Sequence, residues 1–113
     1  MHELGIASRV LEIAVSEAAR HDAARVTAVR LRVGVLRGVV PEHMVFLFGE
    51  VARGTIAEGA RVDIEPEPVS IDCEACGALE SASFSFECPS CGRAGVRVSG
   101  GDALSVAAVE LDV

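Results

Sequence analysis

All four cysteines of this chain fall in two Cys-x-x-Cys pairs, Cys73-Glu-Ala-Cys76-Gly77 and Cys88-Pro89-Ser-Cys91-Gly92, with eleven residues between the pairs. Two intervening residues let the backbone turn tightly, so both sulfurs of a pair reach the same ion. Four thiolates close a tetrahedron around zinc, with Zn–S about 2.3 Å, and leave no open coordination position. The expected metal is therefore structural rather than catalytic. Gly77 and Gly92 tolerate the positive φ such turns often need, and Pro89 stiffens the second turn. Two disulfides would need an oxidising compartment, and no signal peptide is evident. A thioredoxin-like site needs only one pair on a βαβ unit. Spacing alone does not separate zinc from a rubredoxin-like iron site.

At 113 residues the chain suits one compact domain, or a small domain carrying a smaller insert. Half of the residues are hydrophobic and there is no Trp or Tyr, so the core must be mostly Val, Leu, Ala and Ile. No apolar run approaches the roughly 20 residues of a membrane helix. The start, Met-His-Glu-Leu, has no basic n-region, which leads us to expect a cytoplasmic protein with no membrane partner. The formal net charge is −7, from 17 acidic and 10 basic residues. The cysteine segment shares that balance, with Asp72, Glu74, Glu80 and Glu87 against Arg93. Nucleic-acid binding needs a basic footprint, so the charge argues against nucleic acid and for a cation or a protein partner.

Residues 4–20 carry Leu4, Ala7, Leu11, Ala14 and Ala18 on one helical stripe, widened by Val10 and Val15. Glu3 falls in the first turn of that helix and Arg20 and His21 in the last, each complementing the helix dipole. Val29, Leu31 and Val33 alternate with Arg30 and Arg32, which predicts a strand ended by Gly34. Pro41 suits the first position of a second helix, with Met44, Val45, Leu47, Phe48, Val51 and Ala52 before an end near Gly54. A second strand through Ala60, Val62 and Ile64 should be broken by Pro66 and Pro68. Phe84 and Phe86, between the cysteine pairs, read as a miniature core. The alternation of Val109, Leu111 and Val113 with polar or small residues predicts a strand that returns beside the first two. The expected fold is α+β: two helices on a small three-stranded sheet, with an inserted zinc-ribbon-like module. Residues 1–70 plus 96–113 would form the main domain and 71–95 the zinc module.

Zinc accounts for the cysteines but offers no activity, whereas His2 stands directly beside a free α-amine ahead of a helix. Initiator methionine is usually retained before a bulky residue. The Met1 amine, the His2 backbone nitrogen and an imidazole nitrogen of His2 can then form fused chelate rings. Near-planar, all-nitrogen chelation of this kind suits Cu(II) or Ni(II). The bland alternative is a frayed, solvated terminal residue.

Met1-His2-Glu3 opening a helix, Val33-Gly34 then Val40-Pro41-Glu42 before a second helix, Gly54-Thr55, Glu58-Gly59-Ala60 and the two cysteine pairs together resemble the HypA/HybF family. The resemblance covers essentially the whole chain in matching order. It implies a metallochaperone, not an enzyme, that delivers nickel during maturation of [NiFe]-hydrogenase and, in some bacteria, urease. It implies that nickel is carried by Met1, His2 and Glu3, with His2 the indispensable side chain, and zinc by Cys73, Cys76, Cys88 and Cys91. The implied partners are a HypB-type GTPase, the hydrogenase large subunit and, where urease is a client, urease maturation proteins. The resemblance also implies an acidic residue near the nickel, a place that Glu42 would take here. One departure stands out: the last strand usually opens Gly-x-Glu, and here it is Gly101-Asp102-Ala103, which removes a carboxylate from a strand-edge contact. His21 is expected to be a dipole-complementing surface residue. His43 is expected to be solvated, and would approach the N-terminus if the two helices pair. The rival reading is a zinc-ribbon interaction or regulatory domain with no transferable metal, which predicts zinc alone.

Overall fold

In a computed structural model, residues 2–113 are described, apart from the side chain of His2. The first helix, α1 (His2–Arg20), buries Ala7, Val10, Ala14 and Ala18. The buried stripe is thus made almost wholly of alanine, which lets a neighbouring element approach closely. Leu4 and Leu11, expected on the stripe, fall at its edge, about 60° and 40° round the helix from Ala7. Leu4 is accordingly 43% exposed, and Val10 takes the buried place.

The strand β1 (Arg25–Gly34) starts earlier than the alternation of its second half suggests. Val29, Leu31 and Val33 are buried as expected, and so are Val26 and Ala28. A strand buried on both faces is normal at the centre of a sheet, and β1 lies between β2 (Arg61–Glu67) and β6 (Leu104–Asp112). Ala24 N donates to Asp112 O (2.8 Å) and Gly34 N to Ala103 O (2.7 Å), so β6 returns antiparallel to β1. Pro66 does not break β2, contrary to expectation, because β2 is an edge strand.

The second helix, α2 (Pro41–Val51), begins with proline at its first turn and packs on α1. Met44 and Phe48 form its buried face, followed by Ala52 beyond its end, whereas Val45 and Phe46 are exposed. The helix stops short of Gly54 because a polar turn captures its end. Thr55 Oγ1 donates to Ala52 O (2.6 Å), Ala57 N donates to Thr55 Oγ1 (3.1 Å), and Gly54 N donates to Glu58 Oε1 (2.7 Å). Gly54 and Gly59 both take φ of 78° in that turn. The Gly-Thr and Glu-Gly motifs of the sequence are therefore structural.

Three further strands escaped the sequence reading: β3 (Val69–Cys73), β4 (Gly77–Ser81) and β5 (Arg97–Gly100). They form a second antiparallel sheet with β3 in the middle. Val69, Ile71 and Cys73 are buried while Asp72 is exposed, a period-two pattern that is legible once cysteine is counted as apolar. Ile71 faces Leu79 on one side and Val98 on the other.

The chain divides into two compact units. One gathers the helices with the chain up to Leu31, Val39–Glu65 and Ser105–Val113; the other gathers Arg32–Gly38 and Pro66–Leu104. Within the second unit, Gly34 meets Gly101 so closely that a Cβ on Gly34 would lie 2.0 Å from the Gly101 carbonyl oxygen. Ala103 lacks the family carboxylate, but its backbone is engaged at both ends: its oxygen accepts from Gly34, and its N–H donates to Glu67 Oε1 at 3.0 Å. The contact needs no side chain at that position.

Candidate metal centres

The four cysteines converge. Cys73 ends β3, residues 74–76 turn, and Gly77, with φ of 83°, starts β4. This is a three-residue hairpin with a left-handed glycine closing it. In the second pair Gly92 N donates to Cys88 O and Cys88 N donates to Arg93 O, both at 2.8 Å, and Gly92 has φ of 76°. Both glycines thus take the conformation their positions suggest, and a side chain at either would be strained.

The four sulfurs all lie within 4.8 Å of one another, with Cys73 Sγ 3.8 Å from Cys91 Sγ. Sulfurs at the corners of a tetrahedron with Zn–S of about 2.3 Å are about 3.8 Å apart. The separation is far too long for a disulfide bond, and all four cysteines are free. Cys73 and Cys88 are buried and Cys76 and Cys91 exposed, so the cluster is half covered. Its protonation is divided. Hydrogen bonding to Cys91, then to Cys88, with a smaller contribution from desolvation, pushes the Cys76 thiol up to about 12. Backbone hydrogen bonding from Cys91 is the main cause that draws Cys88 down to about 7. Some thiols must hold protons so that others can be thiolates. A dication resolves the conflict, since it accepts all four sulfurs as thiolates. The donor set and spacing fit a structural zinc that Cys73, Cys76, Cys88 and Cys91 would hold.

Phe84 and Phe86 do not form the expected miniature core of this module. They meet edge to face with centroids 4.7 Å apart, but are 45% and 70% exposed. The buried places of this unit are filled instead by Val33, Val69, Ile71, Cys73 and Cys88.

The second expected site is at the chain start. Met1 and the His2 side chain, both expected to hold nickel, lie outside the described residues. Glu3 lies within them, and its side chain is only 16% exposed. Its Oε2 accepts the backbone N–H of Val40 at 2.9 Å, and its Oε1 lies 3.8 Å from His43 Nδ1. Val40 is the residue before the first turn of α2 and has no side chain able to cap the helix. The carboxylate of α1 therefore ties the beginning of one helix to the beginning of the other. No sequence signal marks the Val40 N–H as its partner. Glu42 is exposed in the same turn of α2. His21 sits at the other end of α1, about 27 Å along the helix axis from Glu3, beside Glu17 at 3.6 Å. It cannot serve the same site.

Fold and sites together define a small α+β metal-binding protein with an inserted zinc-ribbon-like module. The model of the family described as "Hydrogenase/urease nickel incorporation, metallochaperone, hypA" matches residues 1–111. Hydrogenase maturation factor HypA of Roseiflexus sp. (strain RS-1) is 44% identical over 115 residues, covering 99% of this chain and 93% of that protein. The factor of the same name from Chlorobaculum tepidum is 42% identical over 107 residues, covering 94% of this chain and 95% of its own. Among solved structures, the solution structure of the Ni metallochaperone HypA from Helicobacter pylori superposes with a TM-score of 0.64 at 17% identity, covering 97% of each chain. A second, described as a solution structure of HypA protein, gives 0.69 at 19% identity, covering 98% of this chain and 96% of that one. At those identities the two structures speak for the fold. The chain belongs to the HypA family of hydrogenase maturation factors.

Proposed function

We propose that this protein is a non-catalytic nickel carrier that binds Ni(II) at its N-terminus and delivers it to [NiFe]-hydrogenase during maturation. Met1, His2 and Glu3 would hold the cargo: the Met1 amine, backbone nitrogens and the His2 imidazole, with Glu3 completing the set. The residues of 71–95 serve as the zinc module, and 1–70 with 96–113 as the nickel-binding domain. Zinc stays with the protein, since four thiolates leave no position through which it could be exchanged for a client's ligand. Nickel leaves, because a site at a chain end requires few packed contacts to break.

The observation that carries this reading is the tie between Glu3 and Val40. It holds Glu3, the residue next to His2, against the start of a second helix. The acidic balance of the chain favours a cation and disfavours nucleic acid. The partners we infer are a HypB-type GTPase, the hydrogenase large subunit and, where urease is also a client, its maturation proteins. Four free thiols poised for metal fit a reducing cytoplasm.

Calorimetric titration with Ni(II) tests the site. Protein with its native N-terminus should bind one ion tightly. His2→Ala should abolish that binding, and so should a short uncleaved N-terminal extension, which converts the Met1 amine to an amide while sparing His2. Zinc content and circular dichroism should not change in either. Unchanged nickel affinity in the extended protein would move the ion away from the chain start.

A further inference from the structure

The imidazole of His43 and the carboxylate of Glu3 come from different helices, yet Nδ1 and Oε1 are 3.8 Å apart. That gap exceeds a hydrogen bond. It is short enough for a shared ion after a small side-chain adjustment: two donor atoms each about 2.1 Å from one metal lie about 3.0 Å apart when adjacent and about 4.2 Å apart when opposite. The two groups are held differently. Glu3 is largely covered, and its other oxygen is committed to the Val40 N–H. His43 is 66% exposed and makes no hydrogen bond among the described residues. Read as a simple surface ion pair, the contact would contribute little, because both solvent screening and the long separation weaken it. Read as half of a coordination shell, it offers one carboxylate oxygen and one imidazole nitrogen, donors that first-row divalent metals accept. It lies one residue along the chain from His2.

We propose that His43 supplies a second imidazole to the nickel cargo, so that the ion is held between the first turns of α1 and α2 rather than by the chain end alone. The inference rests on the N-terminal reading above and extends it. Glu3 holds the two helix starts together through Val40 and presents its free oxygen beside the imidazole. His43, exposed and with no other partner among the described residues, is the ligand that can swing away first when a client takes the ion. The ion then has an open position for a donor of the client, without any change in the helices.

The test is a nickel titration combined with X-ray absorption at the nickel edge, on full-length zinc-loaded protein with its native N-terminus. The variants are His43→Ala, His43→Gln, His2→Ala and, as control, His21→Ala. Loss of the His43 imidazole should weaken binding at least about tenfold, the scale on which a metal's supporting groups act. It should also remove one imidazole from the absorption spectrum, with both His43 variants behaving alike. His21→Ala should match the wild type. If the His43 variants keep wild-type affinity and imidazole count while His2→Ala abolishes binding, His43 is not a ligand and the N-terminal site stands. If His2→Ala leaves binding intact, the N-terminal reading falls, and the shared site falls with it.

Discussion

The two candidate metal-binding regions are built on opposite terms. At the cysteine cluster the donors come in pairs three positions apart, each pair seated on its own tight turn, and the four sulfurs would fill every position of a tetrahedral shell. At the chain start the described candidate donors, Glu3 and His43, come from different helices far apart in sequence. There the carboxylate is held by one hydrogen bond and the nearby imidazole is left exposed. Under the proposed function, the difference follows from what each ion is for. A closed site of local turns makes its metal part of the fold, whereas an open site between element ends lets an ion arrive and leave at little structural cost.

The largest effect should come from opening the closed site. Replacing Cys76 with Ala should remove zinc and disorder residues 73–91, because metal binding supplies that segment's folding free energy, on the order of 10 kcal/mol. Helices α1 and α2 should keep their amide protection, since neither contributes a thiol. Zinc analysis with hydrogen exchange would show this, and one retained zinc per chain would overturn the four-thiolate assignment.

A second variant damages the same unit without touching a thiol. Gly34→Ala puts a methyl group 2.0 Å from the Gly101 oxygen, which only a backbone shift can relieve. The expected cost is about 3 kcal/mol, at the upper end for overpacking, seen as a lower urea midpoint with zinc still bound. If Gly34→Ala is neutral, the close approach of the two glycines is not a constraint.

Protons sharpen the comparison further. In the metal-free cluster Cys76 keeps its proton until about pH 12, so zinc loading at neutral pH must expel it. Cys88, drawn down to about 7, is thiolate above that pH and thiol below it. Zinc takes only thiolates, so affinity falls as pH falls. Below pH 7 it should fall more steeply, by up to about a further factor of 10 per pH unit, as the Cys88 proton joins the exchange. Chelator competition from pH 6 to 8 measures the slope, and a constant slope through 7 would contradict the assignment to Cys88.

The smallest effect belongs to the open site. Glu3→Ala removes the acceptor of the Val40 N–H and should lower stability by about 1 kcal/mol, whereas Glu3→Gln keeps an acceptor and should lose less. Thermal unfolding of the two variants separates them. Equal losses would mean that the charge, rather than the hydrogen bond, ties the helices.

Much of this was legible in the chain itself. The cysteine ligands, the positive φ of Gly77 and Gly92, the proline that opens α2 and the return of β6 all follow from patterns a few residues long. Phe84 and Phe86 misled because two aromatics between metal knuckles look like a core, and the fold gives the buried places to aliphatic and cysteine side chains instead. Pro66 misled because its tolerance depends on being at a sheet edge, and edge position belongs to the assembled sheet.

The sequence by itself determined the metal-binding turns and the family, since spacing within a turn and residue order along a chain are local properties. Only the tertiary structure decided that Glu3 grips Val40, that His43 comes within 3.8 Å of the same carboxylate, and that Gly34 must be bare to pass Gly101. Each of these joins groups far apart in the chain, brought together by the burial of an alanine stripe and the pairing of strands. No short window of sequence records which distant backbone atom will be waiting there.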